Sequence, residues 1–182
     1  VRHSLPEFTT GVPASHWRLS AEGQERCTRL VERLGEHDPA VIVASREPKA
    51  IETGQIVADL LGVPFEIAEG LHEHERGPVR SLGSEEAFQA LVASVFEQPG
   101  ELVFGWETGE QARDRFTRAL DRVIGLHPAG NLAVVSHGTV MTLFLARAAE
   151  IAPVPFWKRL GLPAFAVLSL PDLSLVEVVE EV

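Results

Sequence analysis

Thiol chemistry is almost absent from this chain of 182 residues, because Cys27 is its only cysteine. An internal disulfide is excluded, and a reducing cytoplasm is the expected location. Long apolar runs are missing too. No uninterrupted stretch approaches the roughly 20 residues that a membrane-spanning helix needs, and the runs at 132–135 and 164–168 have the length of buried strands. The opening Val1-Arg2-His3 lacks the basic-then-apolar pattern of a secretory leader, so none is expected. Basic residues are in the minority, with 16 Lys and Arg against 26 Asp and Glu, for a formal net charge of −10. Nucleic acid and anionic membranes are therefore not expected as partners. Any small anion would have to be held by a local cluster of cations and backbone amides that overrides this background.

What is present is ordinary for a globular protein: 45% hydrophobic and 23% charged residues. The length fits a single domain spanning 1–182 with a sizeable core. Short β-branched runs alternate with helical patterns, the signature of an α/β fold. Ser20 is placed to cap a helix in which Cys27, Leu30, Val31 and Leu34 recur at helical spacing. A compact strand is predicted over 40–44. Pro48 suits the first turn of the next helix and Gly62 its left-handed end. A strand near 65–68 leads into a polar loop over 69–83. Ser84 caps a helix ending near Pro99, and Thr108 with Gln111 makes a capping box for a helix to about Leu126. A strand at 131–136 precedes an apolar helix at 138–149. Runs at 164–170 and 173–179, joined by Pro171-Asp172, predict an antiparallel hairpin at one edge of the sheet.

Candidate chemistry gathers where strands are followed by polar residues, since ligands of α/β sheets collect at the carboxyl ends of strands. Ser136-His137-Gly138-Thr139 follows a strand and opens a helix, whose free N–H groups and positive dipole end suit an anion. Arg2-His3-Ser4 opens the chain. Ser45-Arg46-Glu47-Pro48-Lys49 places two cations at a helix start. The segment Leu71-His72-Glu73-His74-Glu75-Arg76-Gly77 carries candidate proton donors.

Taken in order, these segments resemble the histidine phosphatase superfamily, the phosphoglycerate-mutase-like proteins. Its opening Arg-His-Gly is matched by Arg2-His3, with Ser4 in the glycine's place. Trp17, Leu19, Ser20 and Gly23 match Trp-x-Leu-Ser/Thr-x-x-Gly. Ser45, Lys49, Ala50 and Thr53 match Ser-x-x-x-Arg-Ala-x-x-Thr, with lysine for arginine. Leu71, Glu73 and Gly77 match the acid loop Leu-x-Glu-x-x-x-Gly. Gly109-Glu110, followed by Arg118, is similar to the family's Gly-Glu helix opening, and Ser136-His137-Gly138 to its second histidine motif.

The resemblance implies a three-layer α/β/α sandwich with a mostly parallel central sheet and an antiparallel edge strand. It implies a metal-independent phosphatase without a cofactor, acting on a small phosphorylated metabolite. His3 would be the nucleophile that becomes phosphohistidine, attacking through a neutral ring nitrogen while the other nitrogen donates to a fixed acceptor. Arg2, Lys49 and His137 would hold the phosphoryl oxygens, with backbone donors around Gly138. Glu73 would be general acid and then general base, which calls for a raised pKa. A mildly acidic to neutral optimum follows if Glu73 and His137 must be protonated while His3 is not. Two departures stand out. Ser4 adds a side chain where backbone is expected close to phosphate, and Lys49 offers a point charge instead of a bidentate fork. Only Val1 precedes the first motif, which leaves the family's first strand either very short or cut off in this sequence.

Taken singly, each residue has a plainer reading. Arg2-His3 alone would be a loose terminal pair, His137 a strand-end histidine, and Lys49 and Arg46 solvated helix-start cations. Glu75 and Glu69 compete with Glu73 as loop acids. His72 and His74 have no metal-ligand spacing, being neither a helical pair nor a finger pattern. His16, His37 and His127 are expected at the surface. The Trp106-Glu107 and Phe156-Trp157-Lys158 clusters are expected to pack rather than wall a pocket. Two other functions remain open: a mutase that returns phosphate to a second substrate oxygen, and a phospholigand-binding module with degraded catalysis. The compact segment after the acid loop favours water as acceptor over a mutase. Specificity would depend on loops at 9–17 and 77–105, and a homodimer is compatible with the sequence.

Overall fold

A computed structural model describes residues 1–77 and 84–182. The expected loop at 69–83 and the specificity segment at 77–105 therefore lie in part, over 78–83, outside the described residues.

The sheet is built around β1 (Pro39–Ser45), which is buried along nearly its whole length. Side chains of a strand alternate between faces, and here both faces are apolar. Val41 and Val43 join one core, Ile42 and Ala44 the other. Such a strand has to be covered on both sides, which is what parallel α/β packing supplies. β1 is flanked in parallel by β2 (Phe65–Ala68) and β3 (Asn131–Val135), in the order β2-β1-β3.

One helical layer consists of α1 (Ala21–Gly35) and α2 (Pro48–Leu61), which pack together under Ile42 and Ala44 through Leu30, Leu34, Ala50 and Val57. The other layer is formed by α3 (Glu85–Glu97), α4 (Gly109–Leu126), α5 (Gly138–Ala148) and α6 (Pro153–Arg159). The result is the three-layer α/β/α sandwich.

Local signals explain the boundaries. Ser20 accepts the Gly23 N–H, Ser84 accepts the Ala87 N–H, and Thr108 and Gln111 form a reciprocal capping box. Gly62 ends α2 at φ 69°, a conformation glycine adopts without steric cost. The short α6 has no counterpart in the sequence expectations. Its Pro153 and Pro155 fall in the first turn, where backbone N–H groups have no intrahelical partner to lose.

The predicted hairpin is β4 (Phe165–Ser169) and β5 (Ser174–Val179), paired antiparallel. It meets the parallel strands through one residue. Arg2 bridges Ser136 in parallel and Ala164 in antiparallel, with hydrogen bonds from Arg2 N–H to Ala164 O (2.7 Å) and from His3 N–H to Ser136 O (2.9 Å). Residues 1–3 thus serve as the connecting strand. Among the described residues no helix is long and apolar enough to cross a membrane.

Candidate active site

Three chain segments end side by side at the carboxyl edge of the sheet: residues 1–3, β1 and β3. Their next residues are His3-Ser4, Ser45 at the close of β1, and Ser136-His137 after β3. Neighbouring parallel strands must deliver their ends to the same edge, so the two histidine motifs converge. The His3 and His137 ring centroids are 5.1 Å apart and tilted by 60°.

Both rings are buried. His3 Nδ1 lies 2.7 Å from Ser4 O. A carbonyl oxygen can only accept, so Nδ1 carries the hydrogen and Nε2 keeps its lone pair. Burial is the main force holding the His3 pKa well below its usual value, followed by His137, Lys49 and Arg2, while the bond to Ser4 opposes them. His137 Nε2 is 2.8 Å from Ser45 Oγ. Its pKa is likewise held well down, by burial first and then by Lys49, Arg76, His72 and Arg2. Both imidazoles are thereby held in the neutral form.

Arg2 reaches the same space and donates to Leu160 O. Burial lowers its pKa to about 10, against the attraction of Glu73, so it stays cationic at neutral pH. Gly138 provides the room it needs, since a Cβ there would stand 3.0 Å from Arg2 Nε and 3.3 Å from Trp157 Nε1. Trp157 packs in the core against Phe88 and Phe96, as the sequence reading expects, with its indole Nε1 turned toward Gly138. Among the described residues, Arg2 Nε, Arg76 Nε and His137 Nδ1 are buried without a hydrogen-bond partner. Buried polar atoms are almost always paired. Three orphans in one place mark a site built to receive a ligand with acceptor atoms.

Glu73 differs from expectation. Its carboxylate sits at the start of α5, accepting the N–H groups of Thr139 (3.1 Å) and Val140 (3.2 Å), the His74 N–H (2.9 Å) and Arg76 Nη2 (3.0 Å). Burial alone would raise its pKa, but Arg76, the N–H donors of His74 and Thr139, and His74 itself outweigh it and bring the value to about 2. The expected raised pKa is not found. A carboxylate that accepts several N–H bonds beside a guanidinium stays ionised. These two α5 amides, expected to face a phosphate, are taken by this carboxylate.

Lys49 is also partnered. Its Nζ donates to Ala14 O (2.8 Å) and pairs with the Glu47 carboxylate, both side chains being buried. Glu47 Oε1 in turn accepts the Glu73 N–H at 2.9 Å and lies 3.6 Å from His137 Nε2. Ser4, the departure from glycine, turns away from the rings. Its hydroxyl donates to Gly23 O at 2.7 Å and its N–H to Thr53 Oγ1 at 3.0 Å. Gly23 is confined there by contact, since a Cβ on it would lie 2.0 Å from Leu5 O.

The sequence reading passed over Glu47, Arg76 and Arg115. Arg115 on α4 holds the acid loop from behind. It donates to Gly70 O (2.8 Å), His72 O (2.9 Å) and Glu73 O (3.2 Å), and pairs with Glu107 at 2.5 Å. Arg46 pairs with Glu69 on the surface (3.0 Å). His72 Nε2 lies 3.3 Å from Glu75 Oε1, and His74 Nε2 is 2.8 Å from Glu107 O. Trp106 is 71% exposed rather than packed. A signal for Arg76 was available in its spacing of three from Glu73 and of one before Gly77.

Several solved structures share this architecture. Bacillus stearothermophilus YhfR superposes with a TM-score of 0.77 at 19% identity, covering 98% of this chain and 93% of that one. A mycobacterial glucosyl-3-phosphoglycerate phosphatase complexed with VO3 gives 0.73 at 18% identity, covering 100% and 96%. The alpha-ribazole phosphatase from Shigella flexneri gives 0.69 at 20%, covering 100% and 94%. At these identities the likeness concerns the fold. No curated protein sequence matches the chain. The family model for the histidine phosphatase superfamily (branch 1) matches residues 1–171, and with the paired histidines, the basic residue before the first, and the acid loop all in place, the chain belongs to that superfamily.

Proposed function

We propose that this protein hydrolyses a small phosphomonoester through a phosphohistidine on His3. The observation that carries the reading is the pair of neutral, buried imidazoles 5.1 Å apart, with His3 in the field of Arg2 and Lys49. In the first step that nitrogen attacks phosphorus, the P–N bond forms and the bond to the leaving oxygen breaks. Glu73 supplies the proton the leaving oxygen needs. It gains that proton when phosphate enters, because a like charge nearby raises a carboxyl pKa. Water then attacks the phosphohistidine, Glu73 takes its proton, and the P–N bond breaks to release phosphate and restore His3. Arg2, Arg76, His137 and Lys49 stabilise the charge on the equatorial oxygens, which is most of what phosphoryl transfer asks of a protein.

The phosphatase names of the structural neighbours, a glucosyl-3-phosphoglycerate phosphatase and an alpha-ribazole phosphatase among them, support hydrolysis and a small phosphorylated substrate. Ser4 no longer argues for degraded catalysis, since its side chain points at Gly23 O. The test is hydrolysis of an aryl phosphate, with quenching in alkaline detergent to trap the phosphoenzyme. The parent protein is expected to turn over and to carry acid-labile phosphate, and His3→Ala to do neither. Phosphate binding without turnover in the parent would favour the ligand-binding module. Exchange of phosphate between two sugar acids, outpacing release to water, would favour the mutase.

A further inference from the structure

The site contains one more carboxylate than hydrolysis calls for. Glu47 ends the turn between β1 and α2 and is 7% exposed. It is bound by donors that would otherwise serve a phosphoryl group: Lys49 Nζ on one oxygen, and the Glu73 N–H on the other, with His137 Nε2 at 3.6 Å. The charged and titratable groups around it and His137 are Lys49 on the helix it caps, Arg2 and His3 from the connecting strand, and His72, Glu73 and Arg76 from the acid loop. His137 is held neutral. Arg76 is matched by Glu73 and Lys49 by Glu47. Arg2 is the cation left unmatched among these groups, and its Nε is one of the orphaned donors.

A carboxylate can only accept hydrogen bonds. A fully ionised phosphoryl group would meet Glu47 as a like charge with no hydrogen between them. A phosphoryl group that keeps one proton carries a single negative charge and can donate its P–OH to Glu47. We propose that Glu47 is a specificity-determining residue that admits the singly protonated, monoanionic phosphoryl group and turns away the dianion. This rests on the phosphate site described under Proposed function and adds the charge state it accepts. Repulsion of the wrong ligand is a common source of specificity. Phosphomonoesters lose their second proton near about pH 6, so affinity falls as pH rises above that value. Sulfate, which has no proton to offer, is refused.

Inorganic phosphate and sulfate are the probes, with binding followed by calorimetry on the parent chain and on Glu47→Gln. The parent is expected to bind phosphate about tenfold or more tighter than sulfate, with phosphate affinity declining above the second pKa of inorganic phosphate, about a unit higher than that of its esters. Glu47→Gln, whose amide can donate, is expected to gain sulfate binding by a similar factor and to lose the decline. Equal binding of the two anions by the parent, or an unchanged ratio in the variant, overturns the proposal while leaving hydrolysis intact. Failure of either protein to bind any anion overturns the phosphate site itself. Should Glu47→Gln lose its far-ultraviolet signal, the parent's ratio and pH slope decide the matter alone.

Discussion

Four donors converge on the two oxygens of Glu73, and this gives one side chain both a chemical and a structural part. Its pKa is about 2 in the folded chain against an ordinary 4.5. A depressed value means the ionised form stabilises the fold above pH 4.5, and that this contribution disappears as pH falls toward 2. The shift corresponds to something on the order of 3 kcal/mol. Urea unfolding across that pH range is expected to show the loss in the parent protein, and Glu73→Gln should flatten it. The same variant is expected to lower aryl phosphate turnover by about 10²–10⁴-fold. Retention of the parent's acid limb in the variant would reject the assignment. Residue identity showed the acid at 73, and family order singled it out from Glu69 and Glu75. Its charge state was hidden in part, because the Thr139 N–H, which lowers its pKa together with Arg76 and His74, lies more than 60 positions away. Ser4 was misleading for the same kind of reason. Its side-chain direction is decided by Gly23 O, which no local pattern announces.

Between elements, the acid loop depends on α4. Arg115 fastens the carbonyls of Gly70, His72 and Glu73 with a planar fork, and Glu107 fixes the guanidinium from the other side. A lysine carries the charge without the fork. Arg115→Lys is expected to cut kcat by roughly ten- to a hundredfold through misplacement of Glu73, with KM and inorganic phosphate affinity little changed. An equal loss in phosphate affinity would mean that Arg115 acts on the binding groups and does not position the acid. Helices with strong end signals could be read from the sequence: Ser20, Ser84, the Thr108–Gln111 box and Gly62 each sit at a real boundary. The helix at Pro153–Arg159 was masked by its own prolines. Arg115 and Glu47 escaped notice because their partners lie on other segments, and spacing along the chain carries no trace of them.

For the molecule as a whole, a formal net charge of −10 surrounds a site meant for an anion. The cations that matter are buried, so their field is local, whereas the acidic surface acts on a ligand still in solution. Salt screens the latter over a Debye length of about 10 Å at 0.1 M and much less the former. With a phosphomonoester substrate, kcat/KM is expected to rise severalfold as ionic strength increases from about 0.01 to 0.15 M. A steep decrease would mean that exposed cations guide the substrate in, and would count against this picture. The alternation of strand and helix signals made the α/β plan and the two-sided burial of β1 legible. The position of the hairpin beyond the parallel strands was legible only as an edge, because the join is a single residue.

That join has its own consequence. The dipeptide carrying the proposed nucleophile also stitches the hairpin to the rest of the sheet, through the bonds of Arg2 N–H to Ala164 O and His3 N–H to Ser136 O, whose partners lie more than 130 positions along the chain. Closing such long loops is slow and entropically costly. Competence for chemistry should therefore arrive late as the chain folds and vanish early under mild denaturant, while most of the helical content still stands. Loosening that seam would silence the protein without unravelling it.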